Sequence, residues 1–343
     1  MERFYRRRNF SRPLQTTPLL ISNTVYRRCA VLAGGHFYFD FQKPITFWRW
    51  GGQDIRIFGS GVMNGNGQRW YNEFAGFIDT DKFQDSNNKY YRPILFVTDN
   101  ATRLSVEGIA QLNSPCWTNF FVRTKDVLFD NVYIKCLLDQ RICKWDSLSG
   151  ASQVLPPFNQ ALPKNTDGFD SLNVDGLSVT NARVDIGDGS FSPKPNTTNN
   201  FVQKLWCNNT HGVSMGSIGQ DRGVLDMIEY AYIENVILLS GEYYFKIDAA
   251  GCASFSSKFN VTNINFENIS GTSSGKQGKV VADLTCSPNA VCLDVHLKNI
   301  NLSSPAGDLP VIICDGIQGD IGVECQYSST SSTTKRTTGL ASG

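Results

Sequence analysis

Along much of the chain, apolar and polar residues alternate with a period of two, and Asn residues punctuate the short alternating runs. Successive side chains of a β-strand point to opposite faces, so this period predicts strands rather than helices. β-Branched residues within the runs and turn formers between them favour the same assignment. The clearest runs cover residues 127–134, 172–181, 232–236, 264–269 and 295–300. We interpret each run as one rung of a stack.

A rung that holds a single strand cannot bury its own apolar face, so it must stack on its neighbours. This requirement predicts an all-β solenoid of the parallel β-helix type, in which the Asn side chains hydrogen-bond to one another along the bends. The alternative is a β-sandwich, which would need hairpin turns of the Asn-Gly kind between most pairs of strands. The segment 64–67, Asn-Gly-Asn-Gly, is the one strong hairpin signal in the sequence.

Composition fits one long domain without a charged partner. The chain has 343 residues, 41% of them hydrophobic, and a formal net charge of +1. A chain of this size buries a large core, and a solenoid grows lengthwise instead of splitting. A near-neutral charge gives no reason to expect nucleic acid or an acidic membrane as a partner, and no apolar run has the length of a membrane span.

Cysteines and glycosylation sequons favour an extracellular protein. The chain has ten cysteines, and Asn-x-Ser/Thr sequons occur at Asn9, Asn100, Asn196, Asn208, Asn260, Asn268 and Asn301. Both features are typical of secreted glycoproteins. Cys286 and Cys292 are close enough in sequence to form a small disulfide loop. The basic segment 1–8 lacks a following apolar region, so we expect either a different natural start or another route of export.

Two acidic residues offer the chemistry of glycosidic bond cleavage. Inverting hydrolysis needs one protonated carboxyl group for the leaving oxygen and one carboxylate for the attacking water. Asp167 lies in Asn165-Thr166-Asp167-Gly168, and Asp188 lies between two glycines. Either residue could alternatively serve a turn, where Asp bonds its own backbone. The Cys and His residues lack metal-ligand spacing, so we expect neither a metal nor another cofactor.

Several segments together resemble the fungal polygalacturonases of glycoside hydrolase family 28, closest to the exo-acting branch. The resemblance runs from about residue 44 to 240 and from about 252 to 326. The segments that carry it most clearly are residues 44–48, 59–71, 92–96, 165–170, 194–196 and 211–220. It implies a right-handed, single-stranded, pectin-lyase-like parallel β-helix. It also implies a monomer that hydrolyses α-1,4-linked galacturonan with inversion and without a metal.

The resemblance also implies roles for individual residues. Asp167 would help to activate water, and Asp188 would be the general acid. His211 would lie beside the acid and support its protonation, and Asn165 would line the cleft. The expected organisation is a divergent segment over residues 1–35, a catalytic-type β-helix over 36–327 and a disordered Ser/Thr-rich tail over 328–343.

The chain departs from the family pattern directly after Asp188. The family's second Asp, a partner in water activation, falls on Gly189, and the Cys that follows it falls on Ser190. The family pairs that Cys in a disulfide, so Cys207 should be left without a partner.

A second departure concerns the cations that hold the substrate carboxylate. The family's Arg-Ile-Lys motif has its nearest counterpart in Lys246-Ile247-Asp248. Lys246 could take the Arg position without the bidentate grip of a guanidinium, while Asp248 would repel a uronate. Alternatively, this stretch belongs to a later coil, and a whole coil with its Arg and Lys is absent. We favour the second interpretation because the rung at residues 260–270 comes much sooner along this chain than the corresponding rung does in the family.

Two hypotheses follow from these departures. The first is a pectin hydrolase with weakened activity, and the second is a non-catalytic or relic β-helix that binds pectic oligosaccharides. A lyase on the same fold would need a calcium-binding acidic cluster and an Arg base, and neither is evident in the sequence.

Overall fold

In the computed structural model, the described residues are 46–71, 92–136, 143–145, 152–154, 163–249 and 258–326, apart from positions 69, 222, 306 and 308. The expected N-terminal segment 1–35 and the expected tail 328–343 lie outside them. Within the described part of the chain, twenty strands form one continuous sheet whose pairings are all parallel. The sheet coils into a right-handed parallel β-helix with three stacks of strands, which excludes the β-sandwich alternative.

Each coil contributes one strand to the first stack. Its members are β1 (Thr46–Phe58), β3 (Ile94–Glu107), β5 (Asn119–Val122), β10 (Phe169–Leu172), β13 (Phe191–Pro193), β15 (Val213–Ile218), β17 (Phe245–Ala249), β19 (Val280–Thr285) and β21 (Val311–Asp315).

The second stack begins with the later residues of β1 and β3. It continues through β6 (Lys125–Asp130), β11 (Val174–Thr180), β14 (Thr197–Asn208), β16 (Leu225–Gly241), β18 (Lys258–Ser273), β20 (Val291–Ser303) and β22 (Ile317–Gln318).

The third stack begins with β2 (Val62–Asn64), β4 (Ala110–Leu112), β7 (Tyr133–Lys135) and β12 (Arg183–Asp185). The ends of β14, β16, β18 and β20 complete it. Outside the helix, β8 (Cys143–Trp145) and β9 (Ser152–Val154) pair antiparallel.

The core lies inside the coil, where inward-facing apolar side chains stack from rung to rung. Phe169, Phe191, Val213 and Phe245 are register partners in the first stack, and each is almost completely buried. The alternation seen in the sequence therefore places one face of every strand in this core.

The Asn residues lie at the corners, as the sequence predicts. Asn235, Asn268 and Asn299 have φ angles of 56°, 56° and 54°. Asn tolerates this left-handed region better than most residues. The Asn268 amide donates to Asn235 at 3.2 Å, and the Asn299 amide donates to Asn268 at 2.6 Å. The predicted hydrogen bonding of Asn side chains along the bends is confirmed.

Two disulfides lie near the C-terminal end of the solenoid. The predicted Cys286–Cys292 bridge is present, and Cys314–Cys325 is a second bridge that the sequence did not reveal. Cys207 is a buried free thiol, as the substitution at Ser190 predicts. In the described ranges, no helix is both long and apolar enough to cross a membrane.

Candidate active site

The three sequence motifs lie on successive turns between the third and first stacks. Residues 165–168 precede β10, residues 187–189 precede β13, and residues 211–212 precede β15. Backbone hydrogen bonds join these turns: Gly168 N–H to Gly189 O at 2.8 Å, His211 N–H to Asp188 O at 2.9 Å, and Ser190 N–H to Gly212 O at 2.8 Å. The fold therefore brings distant motifs into one row.

Close backbone approach explains why two motif positions are glycines. A Cβ atom at Gly187 would lie 2.1 Å from the Pro163 carbonyl oxygen. Gly212 has a φ of +84°, and a Cβ there would lie 2.2 Å from the Tyr243 carbonyl oxygen. Only glycine fits this spacing between turns.

Asp188 is held by donors on three sides. His211 Nδ1 lies 3.0 Å from Asp188 Oδ1, and the Gly189 backbone N–H donates to the same oxygen at 2.8 Å. The Asn165 backbone N–H donates to Oδ2 at 3.2 Å. Burial raises the pKa of Asp188, but the hydrogen bond and charge of His211, with help from Gly189 and Lys194, leave that pKa below its usual value. Asp188 is therefore an ionised carboxylate at rest.

The pKa of His211 moves in the opposite direction. The hydrogen bond to Asp188 raises it most, burial opposes the rise, and the charges of Asp188 and Glu242 add to it. Asp188 and His211 therefore form an ion pair that shares one proton.

Asp167 lies on the preceding turn and is buried, with 6% of its surface exposed. Burial raises its pKa well above the usual value, and the nearby charges of Asp170 and Asp188 raise it further. Lys194 opposes this rise. The surroundings thus shift the pKa values of the two candidate carboxyl groups in opposite directions, upward for Asp167 and downward for Asp188.

A buried ion pair below this site was not apparent from the sequence. Lys194 Nζ lies 2.9 Å from Asp170 Oδ1 and 4.7 Å from the centre of the Trp117 ring. Burial raises the pKa of Asp170 to about 6, although Lys194 opposes the rise. The 194–196 segment contributed to the family resemblance, but nothing in its sequence spacing linked Lys194 to Asp170.

Asn165 is positioned by an arginine that the sequence analysis also did not single out. Arg92 Nη2 donates to Asn165 Oδ1 at 3.2 Å, and Arg92 Nη1 donates to the Lys164 and Pro115 carbonyl oxygens at 2.5 and 3.1 Å. Arg92 is buried, while Asn165 is exposed. The arginine thus fixes the start of the turn that leads to Asp167.

The environment of Gly189 bears on the missing second Asp. A Cβ atom at Gly189 would lie 2.0 Å from Ser192 Oγ and 3.3 Å from Asp167 Oδ2. Ser190, beside it, faces the Cys207 thiol, whose pKa burial raises to about 12 while Ser190 acts in the opposite direction. Ser190 and Cys207 thus lie together inside the fold.

Lys246 lies farther along the first stack. It is the register partner of Ser214 on one side and of Asp283 on the other, with Nζ 5.6 Å from the centre of the Tyr243 ring. Lys246 is the second residue of β17, which follows the turn that contains Glu242. Asp248 pairs through its backbone with Gly216.

Glu242 also belongs to the site, although no sequence motif marks it. Its Oε2 lies 3.2 Å from His211 Nε2, and its backbone N–H donates to the Thr210 carbonyl oxygen at 2.8 Å. Lys276 donates to Oε2 at 2.5 Å, and Gln277 donates to Oε1 at 2.6 Å. Lys276 and Gln277 hold the Glu242 carboxylate firmly against the imidazole.

Across the described ranges, no group of three or more His, Cys, Asp and Glu side chains is arranged to hold a metal ion. The site offers two carboxyl groups whose pKa values are shifted in opposite directions and an imidazole between two carboxylates. A parallel β-helix that carries this row of side chains is typical of the β-helical glycoside hydrolases. The chain belongs to glycosyl hydrolases family 28, whose family model matches residues 17–236.

Curated relatives resemble most of the chain. A protein of Neosartorya fischeri described as "Probable exopolygalacturonase B" is 62% identical over 345 residues, covering 89% of this chain and 71% of the relative. A protein of Aspergillus oryzae with the same description is 60% identical over 333 residues, covering 86% of this chain and 72% of the relative. Among solved structures, the endo-xylogalacturonan hydrolase from Aspergillus tubingensis has a TM-score of 0.58 at 23% identity, covering 78% of this chain and 74% of that chain.

The alignment with the Neosartorya fischeri protein contains positions with no counterpart in this chain. It spans 345 positions, yet 89% of the 343-residue chain is only about 305 residues. About 40 alignment positions therefore face no residue of this chain, which is enough for a coil of the solenoid. In the structure, β17 stacks directly on β15.

Proposed function

We propose that this chain hydrolyses the α-1,4 linkages of galacturonan with inversion, releasing sugars from a chain end. The observation that carries this proposal is the row formed by Asp167, Asp188 and His211 on successive turns of the β-helix. The names of the curated relatives support the exo mode and the pectic substrate. The polysaccharide is the one partner that this activity requires, and we propose that the enzyme acts as a monomer.

We propose Asp188 as the general acid, supplied by His211. At rest the proton lies on His211, 3.0 Å from Asp188 Oδ1. As the glycosidic bond breaks, His211 Nδ1 passes its proton to Asp188, and Asp188 passes a proton to the leaving oxygen. His211 is then neutral.

Asp167 is the proposed general base. It takes a proton from the water that attacks the anomeric carbon on the opposite face of the sugar. Because burial and neighbouring carboxylates raise its pKa, a smaller fraction of Asp167 is in the ionised, water-activating form than of an ordinary Asp at the same pH. Gly189 supplies no second carboxylate.

Asn165 and Lys246 are proposed to bind the substrate. Asn165 is exposed at the mouth of the site and held by Arg92. Lys246 supplies a positive charge for a uronate, without the planar fork of an arginine. With one cation in place of two and one base in place of a pair, we expect slow turnover.

The second candidate is a β-helix that binds pectic oligosaccharides without cleaving them. The observation that favours it is Gly189, where the family has a carboxylate. Glu242 adds a negative charge next to His211. Neither feature removes Asp188 or Asp167, so we rank hydrolysis first.

Product analysis separates these functions and modes. The purified protein is incubated with polygalacturonic acid, and the products are resolved by anion-exchange chromatography. The proposal predicts galacturonic acid as the sole early product, since an exo-acting enzyme removes terminal units. Early oligomers would indicate endo cleavage, unsaturated products would indicate a lyase, and binding without products would favour the non-catalytic alternative.

We further propose that the protein acts outside the cell. The two disulfides of the described part, Cys286–Cys292 and Cys314–Cys325, are stable in oxidising compartments. The pectic substrate of the proposed reaction lies there as well. Mass spectrometry of the culture medium and of the cell extract tests this, with the intact disulfide-bonded protein expected in the medium.

A further inference from the structure

We propose that Glu242 is a positioning residue of the catalytic site: it holds His211 as an imidazolium between two carboxylates, so that Asp188, His211 and Glu242 together store the proton that the leaving oxygen receives. This proposal rests on the hydrolytic function proposed above. It assigns a role to a residue that no sequence motif identifies.

The argument begins with the two nitrogens of one ring. His211 Nδ1 lies 3.0 Å from Asp188 Oδ1, and Nε2 lies 3.2 Å from Glu242 Oε2. A neutral imidazole has one N–H donor and one lone pair, so it could satisfy only one ionised carboxylate. The other nitrogen would then turn its lone pair toward an oxygen. An imidazolium donates to both.

Glu242 is itself kept ionised and in place. Burial raises its pKa, but hydrogen bonds from Lys276 and Gln277 and the charge of His211 leave that pKa below its usual value. Lys276 and Gln277 bond different oxygens of the carboxylate. Glu242 therefore cannot turn away from His211 without breaking both bonds.

The charged groups around His211 act in both directions. Asp188 on the preceding turn and Glu242 on the following turn raise its pKa, and Lys276 on the next turn lowers it. Lys194 and Asp167 act on Asp188. Two carboxylates in direct contact outweigh the single ammonium group, which is itself paired with Glu242.

The stored proton completes the reaction cycle without any further reactant. His211 Nδ1 passes its proton to the ionised Asp188, and Asp188 passes a proton to the glycosidic oxygen as the bond to the anomeric carbon breaks. His211 then keeps its Nε2 proton, donated to Glu242. Water forms the new bond to the anomeric carbon and gives its proton to Asp167. Release of that proton to solvent and uptake of one by His211 restore the state that began the reaction, with Asp167 ionised and His211 protonated on both nitrogens.

The direct test is an NMR titration of the histidines, which does not depend on activity. The chain has only three, His36, His211 and His296, so single His→Gln variants assign the signals. In Glu242→Gln the neutral amide can accept from Nε2–H or donate to a bare Nε2. We expect His211 to titrate at a lower pH than in the wild-type protein, with His296 unchanged.

A matched control removes a carboxylate elsewhere. Glu107 pairs with Arg56 at 3.2 Å on the second stack, and Glu107→Gln changes the net charge by the same amount. This variant should leave the titration of His211 where it is. An equal shift in Glu107→Gln and Glu242→Gln, or no shift in either, would overturn the proposal.

If Glu242→Gln does not fold, the titration of His211 in Lys276→Met provides a second test. Gln277 still holds Glu242 Oε1 in this variant, and the opposing ammonium charge is gone. We expect His211 to titrate at a higher pH than in the wild-type protein. A lower pH would contradict the proposed charge balance.

The pH dependence of hydrolysis separates the proposed hydrolytic function from the proposed role of Glu242. The acid must hold its proton, so hydrolysis declines as pH rises through the apparent pKa of the triad. Glu242→Gln should move this alkaline limb to lower pH. An inactive wild-type protein whose His211 still responds to Glu242→Gln would refute the hydrolytic function while leaving the positioning role intact.

Discussion

Asp167 and Asp188 carry the same functional group, yet their surroundings shift their pKa values in opposite directions. Asp167 is buried near two carboxylates, so its pKa is raised well above the usual value. Asp188 contacts His211 and a backbone N–H, so its pKa is lowered despite burial. A pair of carboxyl groups with separated pKa values is typical of acid and base catalysis.

The first residue-scale prediction concerns the carboxylate missing at Gly189. In Gly189→Asp the new Cβ would lie 2.0 Å from Ser192 Oγ, so we combine it with Ser192→Ala to remove that hydroxyl. A second base beside Asp167 should raise the rate of hydrolysis by about 10²-fold or more. The rate of reducing-end release from polygalacturonic acid measures the effect.

The control for this variant is Gly189→Asn with Ser192→Ala, which has similar volume and no carboxylate. It should remain at the level of Ser192→Ala alone. Equal rates for the Asp and Asn versions would refute the idea that the lost carboxylate limits turnover.

The second residue-scale prediction concerns Lys194. Lys194→Met leaves the Asp170 carboxylate, which is 0% exposed, without its cation. We expect a loss of about 3–5 kcal/mol in the free energy of unfolding at neutral pH, the usual cost of breaking a buried pair. Chemical denaturation measures it, and Lys194→Met with Asp170→Asn should recover part of the loss. A single variant as stable as the wild-type protein would contradict this account.

The sequence predicts the candidate site residues that belong to motifs and misses the contacts that depend on coil geometry. Asp188 and His211 stand in recognisable segments, and the structure places them 3.0 Å apart. Lys194 and Asp170 meet only because β13 stacks on β10. No spacing rule along the chain encodes such a contact, because it is set by the length of the intervening coil.

At the scale of elements, the bends of the long strands combine a positive φ angle with a ladder of hydrogen bonds between Asn side chains on successive coils. Each of Asn235, Asn268 and Asn299 has a positive φ, and their amides bond in series. The backbone angle and the ladder both favour Asn, and glycine would satisfy only the angle.

Substitutions at Asn268 separate these two contributions. Asn268→Ala loses the two ladder bonds and strains the backbone at φ +56°, so we expect a loss of about 2–3 kcal/mol in the free energy of unfolding. Asn268→Gly loses only the bonds and should cost about 1 kcal/mol. Urea denaturation of both variants gives the comparison, and an equal cost for Ala and Gly would exclude a contribution from backbone strain.

The strands themselves were largely predictable, and the turns between them were not. The alternating run 264–269 became part of β18 (Lys258–Ser273), with Asn268 at the bend. Glu242, in contrast, follows Leu238-Leu239-Ser240-Gly241 with no chemical signature. It contacts His211 because the next turn of the solenoid starts there, and turn position depends on how many coils the chain contains.

At the scale of the whole molecule, buried carboxyl groups set the pH dependence of stability. Burial raises the pKa of Asp170 to about 6, and the pKa of Asp167 is also raised. A raised folded-state pKa contributes stability that is fully present below the unfolded-state value and is lost as pH rises through the folded-state value. The raised pKa of His211 acts in the same direction.

We therefore expect the Tm to rise when the pH is lowered from about 7 to about 5. Asp188 and Glu242 have lowered pKa values, so their opposing loss begins only at more acidic pH. Differential scanning calorimetry of the wild-type protein and of Asp170→Asn tests this, with a smaller rise in the variant. A wild-type Tm that falls between these two pH values would contradict it.

The fold as a whole followed from its repeating rungs, and its proposed shortening changes the site more than the stack. The parallel pairing of β15 with β17 continues the first stack without interruption. Removing a complete coil from a solenoid preserves stacking of this kind. The neighbour of His211 on the following turn is then Glu242. A change in coil number can thus alter the chemistry of a solenoid cleft and leave its core intact.

The most direct test of the account is the rate of galacturonic acid release from polygalacturonic acid by the wild-type protein and by Asp188→Asn. Folding of both is checked by circular dichroism. We predict slow release by the wild-type protein and a rate roughly 10²- to 10⁴-fold lower in the variant, because the amide cannot pass a proton to the leaving oxygen. Equal rates, or no release from well-folded wild-type protein, would contradict the assignment of Asp188 as the acid of a working hydrolase.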